Sequence, residues 1–199
     1  MFRLLICISV IFFICNISRA SDTDYYMEVS QQKVFTKIII LKKNIGIVHA
    51  KVIAKYMADS INKNKLPPNA IISIGFIESG FKQGARGSQS DMGIMQVMPF
   101  WKKEELCKDV ARLWHAKDNI ECGCRVLRYY IDMFGGDILK GLVAYNMGPT
   151  NVRELLKRKV RLNAVWYARK ILDVKGFLDD YDEAITRFEL IKIFPGYFE

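Results

Sequence analysis

The sequence predicts a predominantly α domain. Apolar residues recur at helical spacing in one segment after another, and Pro, Gly and Asn cluster between those segments. No convincing run of alternating strands, internal repeat or low-complexity tract interrupts that pattern. At 199 residues, with 51% hydrophobic and 26% charged content, the chain is long enough for one well-packed domain and too ordinary in composition for disorder.

Taken in order, residues 1–20 read as a secretory signal. Arg3 supplies a positive start, LLICISVIFFIC an apolar core, and Ser18-Arg19-Ala20 small residues around a cleavage point. The apolar run is short for a membrane span, and an uncleaved anchor is the alternative. Removing Arg3 and Arg19 leaves 28 basic and 21 acidic residues, a charge of +7. A basic exported chain favours anionic partners such as wall polymers or lipid head groups, but charge spread this evenly also describes a solubilising surface. No nucleic-acid module signature is present.

Residues 21–45 form an N-terminal extension in which KVFTKIIILKK fits either a short strand or the start of a helix. From Gly46 to Asn62, Ile47, Val48, Val52, Ile53, Tyr56, Met57 and Ile61 recur with helical period. Pro67 and Pro68 start the next helix, with Asn69 as its cap and Gly80 as its stop. A polar loop, Lys82 to Met92, follows. Further helices are expected at Phe100–Leu106, at Ile120–Phe134 capped by Asp118 or Asn119, and at Ile138–Tyr145. Others are expected at Asn151–Lys157 and Asn163–Leu172, with a last amphipathic helix at Asp179–Ile193 in a tail spanning 176–199.

Within this series Glu78 stands out, an acid in the apolar run IISIGFIESGF. Ile71 and Ile74 precede it by seven and four positions, so they share its helix face. Burial, together with the negative end of the helix dipole, disfavours the anion and raises the pKa, which suits a general acid near neutral pH. A helix-end glutamate that reaches solvent is the structural alternative.

Five cysteines occur in the chain. Cys7 and Cys15 fall in the signal, leaving Cys107, Cys122 and Cys124. A bridge from Cys107 to Cys122 or Cys124 would contribute roughly 3 kcal/mol in an oxidising compartment. Three sulfurs with only His49 and His115 make no standard zinc spacing, so neither a metal nor another cofactor is expected.

Glu78-Ser79-Gly80-Phe81, Gly93-Ile94-Met95-Gln96-Val97-Met98-Pro99, Asn119-Ile120 with Gly123, and Ala144-Tyr145-Asn146-Met147-Gly148-Pro149 follow one another in a definite order. In order and spacing they resemble the motifs of the soluble lytic transglycosylases, across roughly Ile47 to Leu172. The resemblance implies a lysozyme-like single domain, 46–175, with a saccharide-binding cleft. It implies cleavage of the MurNAc-GlcNAc β-1,4 bond of peptidoglycan to 1,6-anhydro ends, with Glu78 as acid and then base. It also implies an exported monomer of the bacterial periplasm or envelope, acting on glycan strands and suited to accompany envelope or secretion-system proteins.

Gln96 matches the family's cleft-facing glutamine, and Tyr145 a tyrosine whose hydroxyl bonds the acid or a substrate acetamido group. Asn146 shapes the following turn and is a further substrate-binding candidate. Met95 either lines a sugar subsite or belongs to the core. Tyr129 and Tyr130 either stack on sugars or pack.

Two departures from the family pattern stand close together. Gly87 occupies the usual place of a serine, which makes Ser88, one position later, the candidate for its binding role. Asp91 replaces a common alanine and gives Asp91-Met92-Gly93-Ile94-Met95-Gln96, similar to the segment bearing the second carboxylate of animal-type lysozymes. That similarity implies a hydrolase alternative with Asp91 as nucleophile. A loop aspartate holding a turn is the structural reading, and a non-catalytic wall-binding component of a secretion machine is a third possibility for the whole chain.

Overall fold

The computed structural model describes residues 22–102, 105–107 and 111–193. Residues 1–20, expected from the sequence to be a secretory signal, lie outside them together with Cys7 and Cys15. Among the described residues seven α-helices form: α1 (Asp22–Leu41), α2 (Ile47–Asn64), α3 (Pro68–Ser79), α4 (Ala116–Met133), α5 (Ile138–Met147), α6 (Pro149–Lys157) and α7 (Trp166–Ile193). Short 3-10 turns at Pro99–Lys102, Ala111–Trp114 and Leu162–Ala164 link them.

The centre of the packing is α3. It is apolar on all sides, and a helix of that kind has no solvent face to offer. Ile71, Ile72 and Ile74 are completely buried. Around it, α1 packs on α2, α2 on α4, α4 on α5, and α7 on α3. Ile53 and Met57 of α2, Ile120 and Leu127 of α4, and Leu142 and Val143 of α5 complete one continuous core.

The residues that bound α3 explain where Glu78 sits. Pro67 is the N-cap and Pro68 the first helical residue. At the other end Gly80 adopts φ 59°, its N–H donates to the Phe76 carbonyl at 2.8 Å, and the Phe81 N–H donates to Gly75 at 3.1 Å. Only glycine takes this left-handed cap without strain. The reversal returns the Phe81 ring to the core, where it is 1% exposed, and fixes Glu78 in the last turn.

Several helix expectations change. Asn69 does not cap α3, since it lies inside the first turn and its side chain is buried between α1 and α7. It accepts from Lys37 Nζ at 2.7 Å and donates to Asp179 at 2.6 Å and Asp182 at 3.0 Å. Lys37 also pairs with Asp182 at 2.6 Å, so this polar junction ties three helices that hydrophobic packing alone would leave free to slide. The ambiguous KVFTKIIILKK stretch lies mainly in α1, which ends at Leu41, with Val34 and Ile38 buried against the core.

Neither Asp118 nor Asn119 caps α4, which starts earlier, after His115. Within Phe100–Leu106, helical structure among the described residues is the 3-10 turn to Lys102. The separate helices expected at 163–172 and 179–193 are one, α7, running through Gly176 and across the expected boundary at 175/176. A mid-helix glycine costs about 1 kcal/mol, which the burial of Ile171 and Leu178 on either side outweighs.

Cys107 and Cys122 form a disulfide that ties the segment before the Ala111–Trp114 turn to α4. Cys124 is free and buried, and burial pushes its thiol well up.

Candidate active site

Glu78 is half-buried at the end of α3. Burial pushes its pKa up to about 7, and the negative charge of nearby Asp91 adds to that rise. The Tyr167 hydroxyl, donating to Glu78 Oε1 at 2.6 Å, acts the other way by stabilising the anion. A carboxyl balanced near neutrality holds a proton and can release and regain it.

Tyr167 sits in the first turn of α7 and is buried. Its contact with Glu78 was not among the sequence expectations. The available signal was the spacing of Tyr167, Ala168 and Ile171, which marks a core-facing stripe of α7. Periodicity identifies the stripe but not the hydroxyl's partner 89 positions away.

The loop facing Glu78 is tightly built. Met92 and Val97 exchange backbone hydrogen bonds at 3.0 and 2.9 Å, Gly87 N–H donates to Asp91 at 2.9 Å, and Gly93 N–H donates to Ala85 at 2.9 Å. Asn119, buried on α4, holds the loop from behind. Its Oδ1 accepts from Met95 N–H at 2.8 Å, and its Nδ2 donates to Met92 at 2.6 Å and Leu113 at 3.1 Å. Gly93, at φ 74°, lets this amide approach, since a Cβ there would lie 2.4 Å from Asn119 Nδ2. Ser79 joins the loop to α3, donating to the Ile94 carbonyl at 2.8 Å.

Gln96 takes a left-handed backbone, φ 47°. Its Nε2 donates to Gly93 at 2.9 Å and Ala85 at 3.2 Å, leaving Oε1 on the side of Gly87 and Asp91. The Tyr145 hydroxyl donates to the Met95 carbonyl at 2.8 Å, and the bond to the acid, one of the two partners expected for Tyr145, is made by Tyr167. Burial pushes the Tyr145 hydroxyl well up, with the neighbouring Glu78 charge contributing.

Of the two readings of Met95, subsite wall or core, the side chain's burial agrees with the core. Its side chain is completely buried against Gly123 of α4, where a Cβ would come within 2.8 Å of its sulfur. Its backbone, gripped by Asn119 and Tyr145, is what serves the site.

A groove of about 580 Å³ lies beside these groups, lined by Gln96, Tyr145 and Asn146 with Gln89, Met98, Phe100, Trp101, Tyr130 and the Met147–Asn151 turn. Met98 and Phe100 are exposed, while Trp101 packs edge-on against Tyr130 at 5.3 Å and Tyr129 at 5.8 Å. The structure thus brings Gln96, Tyr145 and Asn146 onto one groove. Glu78 is not itself part of its lining but is near enough to the lining residue Tyr145, and to Asp91, for their charges to act on one another, and Ser88 is exposed on the loop outside it. Among the described residues no group of three or more His, Cys, Asp or Glu is arranged to hold a metal.

The all-helical arrangement of the described residues, with Glu78 ending the central helix, matches the lysozyme-like fold of solved lytic transglycosylases. Residues 55–164 match the Transglycosylase SLT domain, and the chain belongs to that family. Among solved structures it is similar to an inactive mutant of the lytic transglycosylase Slt from Pseudomonas aeruginosa. That match has 25% identity over 64% of this chain and 24% of that one, with a TM-score of 0.57. The 70 kDa soluble lytic transglycosylase from Escherichia coli matches at 17% identity over 76% of this chain and 30% of its own, with a TM-score of 0.56. A complex of the 70 kDa enzyme with bulgecin A matches at 18% identity over 75% and 28%, with a TM-score of 0.51. The chain therefore spans less than a third of the length of these proteins.

Proposed function

We propose that the chain is a peptidoglycan lytic transglycosylase that cleaves the β-1,4 bond between N-acetylmuramic acid and N-acetylglucosamine. The single observation that carries this reading is Glu78, held near neutral pKa by burial and by Tyr167 beside the groove. Bond breaking needs a proton on the leaving oxygen while positive charge develops at the anomeric carbon. Glu78 supplies the proton. Its carboxylate then removes the proton of the muramic 6-hydroxyl, that oxygen attacks the anomeric carbon, and a 1,6-anhydro ring closes without water.

The groove holds the glycan strand in this reading. Gln96 Oε1 accepts from a sugar hydroxyl or amide, Asn146 contacts the strand at the turn, and exposed Met98 and Phe100 supply apolar surface for sugar rings, backed by buried Trp101 and Tyr130. Tyr145 positions the Met95 segment, and Tyr167 keeps the acid in place and tunes it. Exposed Ser88 is left a peripheral contact. The site of action is the cell envelope, and no helix among the described residues is long and apolar enough to cross a membrane.

One observation favours a second reading. Asp91 is near enough for its charge to act on Glu78, as a second carboxylate in a lysozyme-type hydrolase would be. Replacing Glu78 separates enzyme from binding component. Glu78→Gln should fold and bind cell-wall strands while releasing no soluble fragments, and near-normal release by that variant would refute the assignment.

A further inference from the structure

The groove has a neighbour beyond Met147 and Asn151. A second pocket of about 270 Å³ is lined by Met147, Asn151, Glu154, Leu155 and Arg158, and it shares Met147 and Asn151 with the first. The two pockets are neighbours across Met147 and Asn151, and the second runs along α6 to Arg158, the residue just past the helix end.

That far end is cationic. Glu154, its only acid, is neutralised by Lys157 at 2.8 Å, whereas Arg158 is exposed and has no ion pair among the described residues. Lys159 and Arg161 follow it, also exposed, and no acidic residue occurs between Glu154 and Asp173. A guanidinium at the end of a pocket binds carboxylates well, because its planar donor fork matches their geometry.

We propose that this second pocket is a carboxylate subsite, in which Arg158 binds an acidic group carried by a muramic residue of the strand. This rests on the reading of the main groove as a glycan site. The acidic group has two sources with one chemistry: the peptide stem, or the lactyl carboxylate bared when the stem is removed. Asn151, whose Nδ2 is held on the Met147 carbonyl at 2.6 Å, forms the shared wall that a strand crosses between the two pockets. Arg158 is a specificity-determining residue away from the reacting bond.

The test measures binding in the full chain carrying Glu78→Gln, so that no strand is cut, with and without Arg158→Gln. Three ligands are compared by calorimetry: a stem-bearing muramyl oligosaccharide, the same oligosaccharide with stems removed, and an uncharged N-acetylglucosamine oligomer. Arg158→Gln should weaken one or both carboxylate-bearing ligands by roughly fivefold, leave the uncharged oligomer unchanged, and be partly rescued by Arg158→Lys. The ligand that weakens identifies the source. Equal weakening of all three, or of none, overturns the proposal while leaving the glycan reading intact. Failure of every ligand to bind the Arg158-containing protein overturns both.

Discussion

At Glu78, neighbours pull proton affinity in opposite directions, and each can be removed singly. Tyr167 stabilises the anion, whereas Asp91 and burial destabilise it. If the protonated form starts the reaction, kcat/KM falls as pH rises through about 7. Tyr167→Phe removes the stabilising bond and should move that fall to higher pH, while Asp91→Asn should move it lower. A pH profile on soluble glycan strands reads both shifts, and identical profiles in the two variants would remove Glu78 from the titration. The same imbalance bears on stability. Because the folded pKa of Glu78 lies above its ordinary 4.5, its favourable contribution is complete below 4.5 and disappears as pH rises through about 7. Buried as an anion above that, it costs up to about 3 kcal/mol. Glu78→Gln should therefore raise Tm by several degrees at about pH 8 and much less at about pH 4, a thermal-melt comparison in which lost activity accompanies gained stability.

At the scale of elements, the loop from Lys82 to Met98 couples two substitutions that look independent in sequence. A Cβ on Gly87 would stand 2.4 Å from Asp91 Oδ2 and 2.7 Å from Gln96 Oε1. The space a serine would fill is taken by the Asp91 carboxylate. Gly87→Ser alone should displace Asp91 and Gln96 and lower activity, and adding Asp91→Ala should restore much of it. A double-mutant cycle should show coupling of about 1–2 kcal/mol, and additive effects would contradict this account of the loop. The sequence reveals both departures but not that they meet, since that depends on how the Met92–Val97 bridge folds the loop back. Legibility varies among helices for related reasons. The apolar period of α4 announces itself, with Ile120, Leu127 and Ile131 buried as their spacing requires. The short-range logic of caps misplaced Asn69 and Asn119 because both spend their amides on partners in distant elements, Asp179 and Asp182 for one and Met92 for the other.

Across the whole molecule, α7 packs along the central helix α3. It brings Tyr167 to Glu78 at one end and joins Lys37 and Asn69 through Asp179 and Asp182 further along. The sequence shows both helical stretches of this element but not their union through Gly176, nor that the N-terminal extension becomes a helix, packed on α2 and α3 and joined to α7 through Lys37 and Asp182. Those outcomes depend on contacts between distant parts of the chain, which local patterns do not contain. The covalent brace found among the described residues, Cys107 to Cys122, closes a loop of 15 residues' separation. Reduction should cost about 3 kcal/mol and lower Tm by roughly 6–12 °C. Unchanged melting with and without reductant would mean the brace adds nothing to folding.

The claim that unites these scales is that Glu78 both gives and takes the proton while the substrate's own 6-hydroxyl attacks. Mass spectrometry of fragments released from purified cell wall tests it most directly. The unaltered chain should release muramic ends lighter by one water, the 1,6-anhydro form. Fragments with hydrated reducing ends instead would contradict it and assign the attack to water, with Asp91 as the second carboxylate.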